Sequence, residues 1–244
     1  MTPDISKELA PSGRLRAAIN FGNPVLAQKD PANGEPRGVS AELARELARR
    51  LGVPVAFVTF VGAGQVFEAL KSDAWDVAFL AIDPVRAAGI DFTAPYVVIE
   101  GTYVVPAESR LQTIEDIDQD GVRIAVGGGS AYDLFLTREL KHARIVRAAT
   151  SAAAIDMFVA DNLEAVAGVR QPLARFTAGR SDVRMIPGRF MTINQAVATP
   201  KGRAAGARYL REFVETMKAS GFVARALAAS GQTEASIAPP SPVD

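Results

Sequence analysis

Arg86 is the side chain of this sequence best placed to hold an anion. The apolar run Val77 to Ile82 reads as a buried strand, Asp83-Pro84 stops it, and Arg86 lies just beyond its end. In open α/β sheets ligands gather at the carboxyl ends of strands, where a guanidinium grips a carboxylate through two parallel hydrogen bonds. The competing reading is a surface arginine paired with Asp83 or Asp91. A second anion-favouring feature is the turn Gly127-Gly128-Gly129 ahead of Ser130. Glycines let the backbone approach a ligand, and N–H groups at the helix start near Ser130 favour negative charge. The P-loop pattern Gly-x-x-x-x-Gly-Lys-Ser/Thr is absent, and a glycine run before a capped helix also serves as a plain turn.

Weaker candidates surround these two. Phe21 and Asn23 sit in a turn-rich loop after the first strand and could line a pocket, although Asn23-Pro24 reads equally as a turn. Phe60, Phe79 and Tyr132 lie near strand ends where a ring could stack on a ligand; Phe79, inside an apolar strand, is better read as core. The carboxylates Asp83, Asp91, Glu100 and Asp133 carry no sign that any two face each other, as paired acid–base chemistry would need. The only histidine, His142, stands in a charged stretch and reads as solvated, which argues against a Ser-His-Asp triad or a multi-histidine metal site. Absence of cysteine removes disulfides, thiolate nucleophiles and Cys-ligated metals.

The elements that must position these residues follow an α/β rhythm. Strands are expected at Leu15–Ile19, Val55–Phe60 and Val77–Ile82, separated by a helix after Ser40 carrying Leu43, Leu47 and Leu51, and by a short helix with Val66, Phe67 and Leu70. Right-handed crossovers then imply a mostly parallel sheet. After a short β run at Thr102–Val105 and a Thr113-x-x-Asp116 capping box, the pattern restarts. Strands are expected at Arg123–Val126, Arg144–Val146, Ala165–Gly168, Val183–Ile186 and Ile193–Ala198. Helices are expected after a Ser130-x-x-Asp133 capping box, at Ser151–Ala160 and Pro172–Ala178, after Pro200-Lys201-Gly202, and at Phe222–Ala229. The proline-rich tail from Ala235 is expected to be extended or disordered.

With 244 residues and 48% hydrophobic content, the chain can bury one large core or two smaller ones without staples. Lys plus Arg (27) balances Asp plus Glu (27), so no net field favours nucleic acid or an anionic membrane, and a small solute is the easier partner. No apolar run approaches the ~20 residues that span a bilayer. The N-terminal MTPDISKELAPSGR lacks a charged-then-apolar signal pattern, so two readings stay open: an export signal once preceded it, or the protein is cytoplasmic.

Taken in order, GVSAELARELARRLGVPVAFV, FEALKSDAWDVAFLAIDPVRAAGIDFTAPY, TYVVPAES, RIAVGGGSAYD and TINQAVATPKG resemble the family 3 solute-binding proteins of ABC-type amino-acid importers over nearly the whole chain. The most specific part is Asp76 to Tyr96. The resemblance implies a two-lobed type II periplasmic-binding-protein-like α/β fold, each lobe a mostly parallel sheet flanked by helices, with two crossing hinge strands at Thr102–Pro106 and Asn194–Ala198. Lobe 1 would comprise residues 1–104 and 197–244, and lobe 2 residues 105–196. It further implies a small carboxylate or amino-acid ligand taken up by hinge closure, Arg86 gripping the α-carboxylate, and Gly129 and Ser130 assisting. ABC permease transmembrane subunits would be the partners, the location periplasmic and the protein a monomer, with no catalytic residue, cofactor, metal or nucleic acid. This sequence departs from the family pattern in two places. Phe79 and Ala81 stand where hydroxyl-bearing residues are usual, and Val169, followed by Arg170, stands where an acid usually pairs with the ligand's ammonium. An enclosed ammonium without a carboxylate carries a desolvation penalty, which favours a carboxylate lacking the amino group or bearing a second acid that Arg170 meets. The alternatives are a cyclohexadienyl-dehydratase-like enzyme on the same scaffold and a cytoplasmic or sensor-type solute-binding protein.

Overall fold

The structure is a computed structural model describing residues 3–242. It opens with α1 (Pro3–Leu9), β1 (Leu15–Asn20), the two-residue strands β2 (Gln28–Lys29) and β3 (Pro36–Arg37), and α2 (Val39–Leu51). There follow β4 (Val55–Phe60), α3 (Ala63–Glu68), β5 (Val77–Ala81), α4 (Pro84–Ala87) and the long β6 (Ile90–Pro106). Next come β7 (Arg123–Gly127), α5 (Ala131–Glu139), β8 (Arg144–Ala148), α6 (Ser151–Ala160), β9 (Ala165–Val169), α7 (Arg170–Thr177) and β10 (Val183–Met185). The chain closes with β11 (Met191–Pro200), α8 (Ala204–Ala219), α9 (Phe222–Ala229) and β12 (Ser236–Ile237). Two compact units result: unit 1 takes the chain as far as Val98 and again from Asn194, and unit 2 runs from Ile99 to Ile193.

In unit 1, β1 pairs in parallel with β4 on one side and β5 on the other, and β11 lies antiparallel to β5. The core beneath β1 and β5 gathers Val66, Trp75, Ala78, Leu80 and Ile90. Helix α2 buries Leu43, Leu47 and Leu51 as its four-residue spacing predicts, and stops at Gly52, whose φ of 72° ends the helix in the left-handed region. Its start corrects the sequence reading. Gly38 precedes the first turn, while Ser40 lies inside the helix with Oγ 3.2 Å from the Tyr96 hydroxyl, both groups buried.

Unit 2 repeats the design: β7 sits between β8 and β9, all parallel, and β9 pairs antiparallel with the second half of β6. Val104, Phe158, Leu163, Val166 and Leu173 form its core. The two units share a device that no local pattern announces. In unit 1 the Asp76 carboxylate, just before β5, accepts from Arg16 N and Nε, each at 3.0 Å. In unit 2 the Glu164 carboxylate, just before β9, accepts from Arg123 N at 2.8 Å and Nε at 2.9 Å. Each acid thus fastens the first parallel strand of its unit to the third, β1 to β5 and β7 to β9.

Two further expectations are corrected, and a third is met and sharpened. The short run expected at Thr102–Val105 belongs to the 17-residue strand β6. Thr113 does not cap: the Asp116 carboxylate instead accepts from Gln112 N and Thr113 N, each at 2.8 Å. The proline-rich tail is extended but tied down. Ser236 and Ile237 pair with Val98 and Val97, Ala238 N donates to Tyr96 O at 3.2 Å, and Ser241 N reaches the Glu215 carboxylate. The buried Lys218 ammonium donates to Pro95 O at 3.2 Å and Pro239 O at 2.8 Å, pinning strand and tail together.

Candidate functional site

The parallel strands of unit 1 end level with one another. Asn20 stands opposite Phe60, and Ala17 and Ala18 opposite Val77 and Ala78, so Phe21, Val61 and Ile82 emerge at one carboxyl edge. Arg86 belongs to the single-turn helix α4 beyond that edge. Asp83 caps α4 by accepting from Val85 N at 2.8 Å, and Pro84 occupies a first-turn position where no N–H is needed. The Arg86 side chain is buried, which rules out the surface reading, and its Nη1 donates to Ala81 O at 3.0 Å. Burial pushes its pKa down to about 10 while neighbouring Asp83 works the other way, so it stays cationic at neutral pH.

Around Arg86 the expected helpers divide. Phe79 and Ala81 are both buried on β5, and the Phe79 ring meets Tyr96 edge-on with centroids 6.2 Å apart, a packing role. Asn23 is a turn residue, its Oδ1 accepting from Val25 N at 3.3 Å and its carbonyl from Leu26 N at 3.0 Å. Phe21 is half-buried under Lys29, whose Nζ lies 5.3 Å from the ring centroid.

Unit 2 has its own carboxyl edge. With Ala125 opposite Val166 in parallel register, Gly128 comes level with Val169, and antiparallel β6 brings Gly101 opposite the same residue. The glycine turn, Ser130, Val169, Arg170 and Glu100 therefore share this edge. Gly129 adopts φ 67°, and a Cβ on Gly127 would come within 2.7 Å of Ser151 N, so both positions require glycine. Ser130 caps α5 as expected, Oγ accepting from Asp133 N at 3.1 Å. The returning acid differs from the expected box: Asp133 accepts from Gly129 N at 2.8 Å, while Ser130 N donates to Gly127 O at 3.1 Å. A carboxylate of the protein itself already engages the turn, and Arg147 Nε holds that carboxylate at 2.9 Å.

Tyr132 points into the unit, its hydroxyl donating to Ser151 Oγ at 2.7 Å; burial raises its pKa, keeping the phenol neutral. Val169 precedes α7 without a capping side chain. Arg170 is engaged: Nε bonds Glu100 Oε2 at 2.6 Å and Nη2 bonds Gly188 O, while Arg189 Nη1 takes Glu100 Oε1 at 2.7 Å. Burial opposes ionisation of Glu100, but the two guanidiniums outweigh it and hold the carboxyl below its ordinary range. The Glu100–Arg170 pair spans 70 residues, and no signal in either segment pointed to it.

The family described as bacterial extracellular solute-binding proteins, family 3, matches residues 15–229. A curated relative, cyclohexadienyl dehydratase of Pseudomonas aeruginosa, is 30% identical over 139 residues, which is 55% of this chain and 51% of the relative. The match thus spans about half of that protein's length. Among solved structures, a mutant of ArgBP from T. maritima superposes with TM-score 0.78 at 22% identity, covering 92% of this chain and 98% of that one. An amino acid ABC transporter substrate-binding protein from Streptococcus pneumoniae, bound to L-arginine, gives 0.76 at 18% identity, covering 92% and 97%.

Proposed function

The chain belongs to the family 3 bacterial extracellular solute-binding proteins, and on that premise we propose that it captures a small carboxylate solute for an ABC-type importer. Its α/β architecture is that of the type II periplasmic binding proteins. The observation carrying the proposal is Arg86: a buried cation fixed by a capped turn at the carboxyl edge of a parallel sheet. Its guanidinium receives the ligand's carboxylate, and a permease recognises the ligand-bound form. The Streptococcus pneumoniae relative, a component of an amino acid ABC transporter, supports this role. The family's extracellular description supports a periplasmic location; among the described residues no helix is long and apolar enough to cross a membrane.

The ligand's α-amino group finds little support here. Val169 offers no carboxylate, and Glu100 is already shared by two arginines. A second ligand acid would have to compete with Glu100 for Arg170. The reading that follows is a carboxylate lacking the amino group. The dehydratase relative favours an enzyme as the rival reading. That chemistry needs a general acid, and Glu100, held below the ordinary carboxyl range, is a poor proton donor at neutral pH. Calorimetry with amino, keto, hydroxy and dicarboxylic acids, followed by a search for turnover, tests both readings. Acids should bind without turnover, and Arg86→Met should weaken binding by about 2–5 kcal/mol while the protein still unfolds cooperatively. Undiminished binding in that variant overturns the proposal.

A further inference from the structure

The carboxyl edge of unit 1 carries an unusual concentration of exposed aliphatic surface. Among the described residues the large hydrophobic side chains most exposed are Val61 (50%), Val85 (49%), Val159, Ile82 (42%) and Ile237, and three of these five sit at this one edge. Val61 follows β4, Ile82 follows β5 and Val85 lies in α4 beside Arg86. Half-buried Phe21 leaves β1 at the same level. The loops holding them are built rather than incidental. Val61 N donates to Gln65 Oε1 at 3.2 Å, and Gly22 lies so near the Val61 carbonyl that a Cβ would come within 2.4 Å of it.

Among the charges at this edge, Asp83 is buried and caps Val85 N, Lys29 lies over the Phe21 ring, and Arg86 is buried with Nη1 on Ala81 O. The exposed side chains named at this edge are aliphatic, so a basic group covering them loses water without gaining a charge partner from them. An aliphatic or aromatic group entering here loses water from both surfaces at once. Apolar surface beside one cation suits a ligand with the same two parts.

Resting on the carboxylate-binding reading above, we propose that the solute is a monocarboxylate with an apolar body: its acid group goes to Arg86 and its aliphatic or aromatic part covers Val61 and its neighbours. This sets it apart from the arginine held by the Streptococcus pneumoniae relative. The test titrates the full chain calorimetrically with acetate, butyrate, 4-methylpentanoate, 3-phenylpropanoate, succinate and L-arginine. Affinity should rise about fourfold for each methylene added along the monocarboxylate series, with succinate and L-arginine weakest. Val61→Ser removes apolar surface at an exposed position, so the thermal midpoint should stay unchanged. The same change should weaken 3-phenylpropanoate about tenfold and acetate much less. If the acids bind through Arg86 but affinity is flat with chain length, or L-arginine or succinate binds tightest, the apolar-body inference is wrong and the carboxylate reading survives. If none of the acids binds, or Arg86→Met leaves their affinity intact, both fall together.

Discussion

The paired staples allow one experiment to weigh burial against exposure in a single protein. The Asp76 side chain is 0% exposed and accepts from Arg16 N, Nε and Nη2 and from Arg203 Nη1, the last two at 2.8 and 3.1 Å. Glu164 makes the same strand-to-strand contact at 35% exposure. Removing one member of a buried ion pair costs about 3–5 kcal/mol, because the partner charge is left without compensation. Here Asp73, largely exposed, offers both arginines a second carboxylate at 3.1 and 3.6 Å, so Asp76→Ala should fall near the low end, about 3 kcal/mol. With a urea slope of about 2 kcal/mol/M, the midpoint should drop by about 1.5 M. Glu164→Ala removes a pair that water already screens and should shift its transition by less than half as much. The single tryptophan, Trp75, adjoins Asp76, is buried, and donates Nε1 to Val66 O at 2.8 Å, so its fluorescence reports unit 1. Far-UV circular dichroism follows both units. Equal shifts in the two variants, or a shift below about 0.5 M for Asp76→Ala, would refute the reasoning that burial sets the cost.

Glu46 should supply an acid-sensitive contribution. Its bond to Arg49, then burial acting the other way, then its bond to Arg50, leave its carboxyl near pKa about 2 against an ordinary value of 4.5. A folded pKa below the unfolded one gives stability present above about 4.5 and lost as pH falls through about 2. Wild type and Glu46→Gln should therefore differ in urea midpoint at pH 7 and converge as pH is lowered across that window. Deleting residues 235–242 should speed amide hydrogen exchange along Val97 and Val98, read by mass spectrometry, and lower the thermal midpoint; unchanged exchange would mean the tail contributes no protection. Asp133→Ala removes the acceptor of Gly129 N and one of the two anchors of Arg147, whose Nη2 also donates to Thr137 Oγ1. If Asp133 competes with the ligand for the turn, acids should bind more tightly to that variant; weaker binding would mean Asp133 instead holds the turn in shape.

Helices α6 and α9 were legible to the residue, at Ser151–Ala160 and Phe222–Ala229, because their apolar spacing and flanking turn residues are local properties. Strand β6 was not. Its burial comes from β12 at Val97 and Val98, β9 at Gly101 to Val104 and β10 at Val104 to Pro106, so no single alternation runs along it. Ser40 was misread because Gly38, with φ 98°, takes up the chain reversal before α2 and frees the serine to bond Tyr96. The strand-end location of Arg86 could be read from Asp83-Pro84, but its burial depends on how distant segments pack. The same holds for Asp133 claiming Gly129 N: the Ser130-x-x-Asp133 spacing announces a box without saying which amide the acid will take. The Arg16–Asp76 staple joins residues 60 apart and leaves no trace in either neighbourhood.

The pinned tail also decides how this protein can be instrumented. A reporter placed at Ser241 hangs from β6 through the Ser236–Ile237 pairing and the Lys218 clamp. One placed on α1 is carried by a helix that packs on α8, where the Glu8 carboxylate accepts Gly206 N at 2.7 Å. The first dye is thereby mechanically coupled to a strand that runs on into unit 2, and the second rides on the body of unit 1.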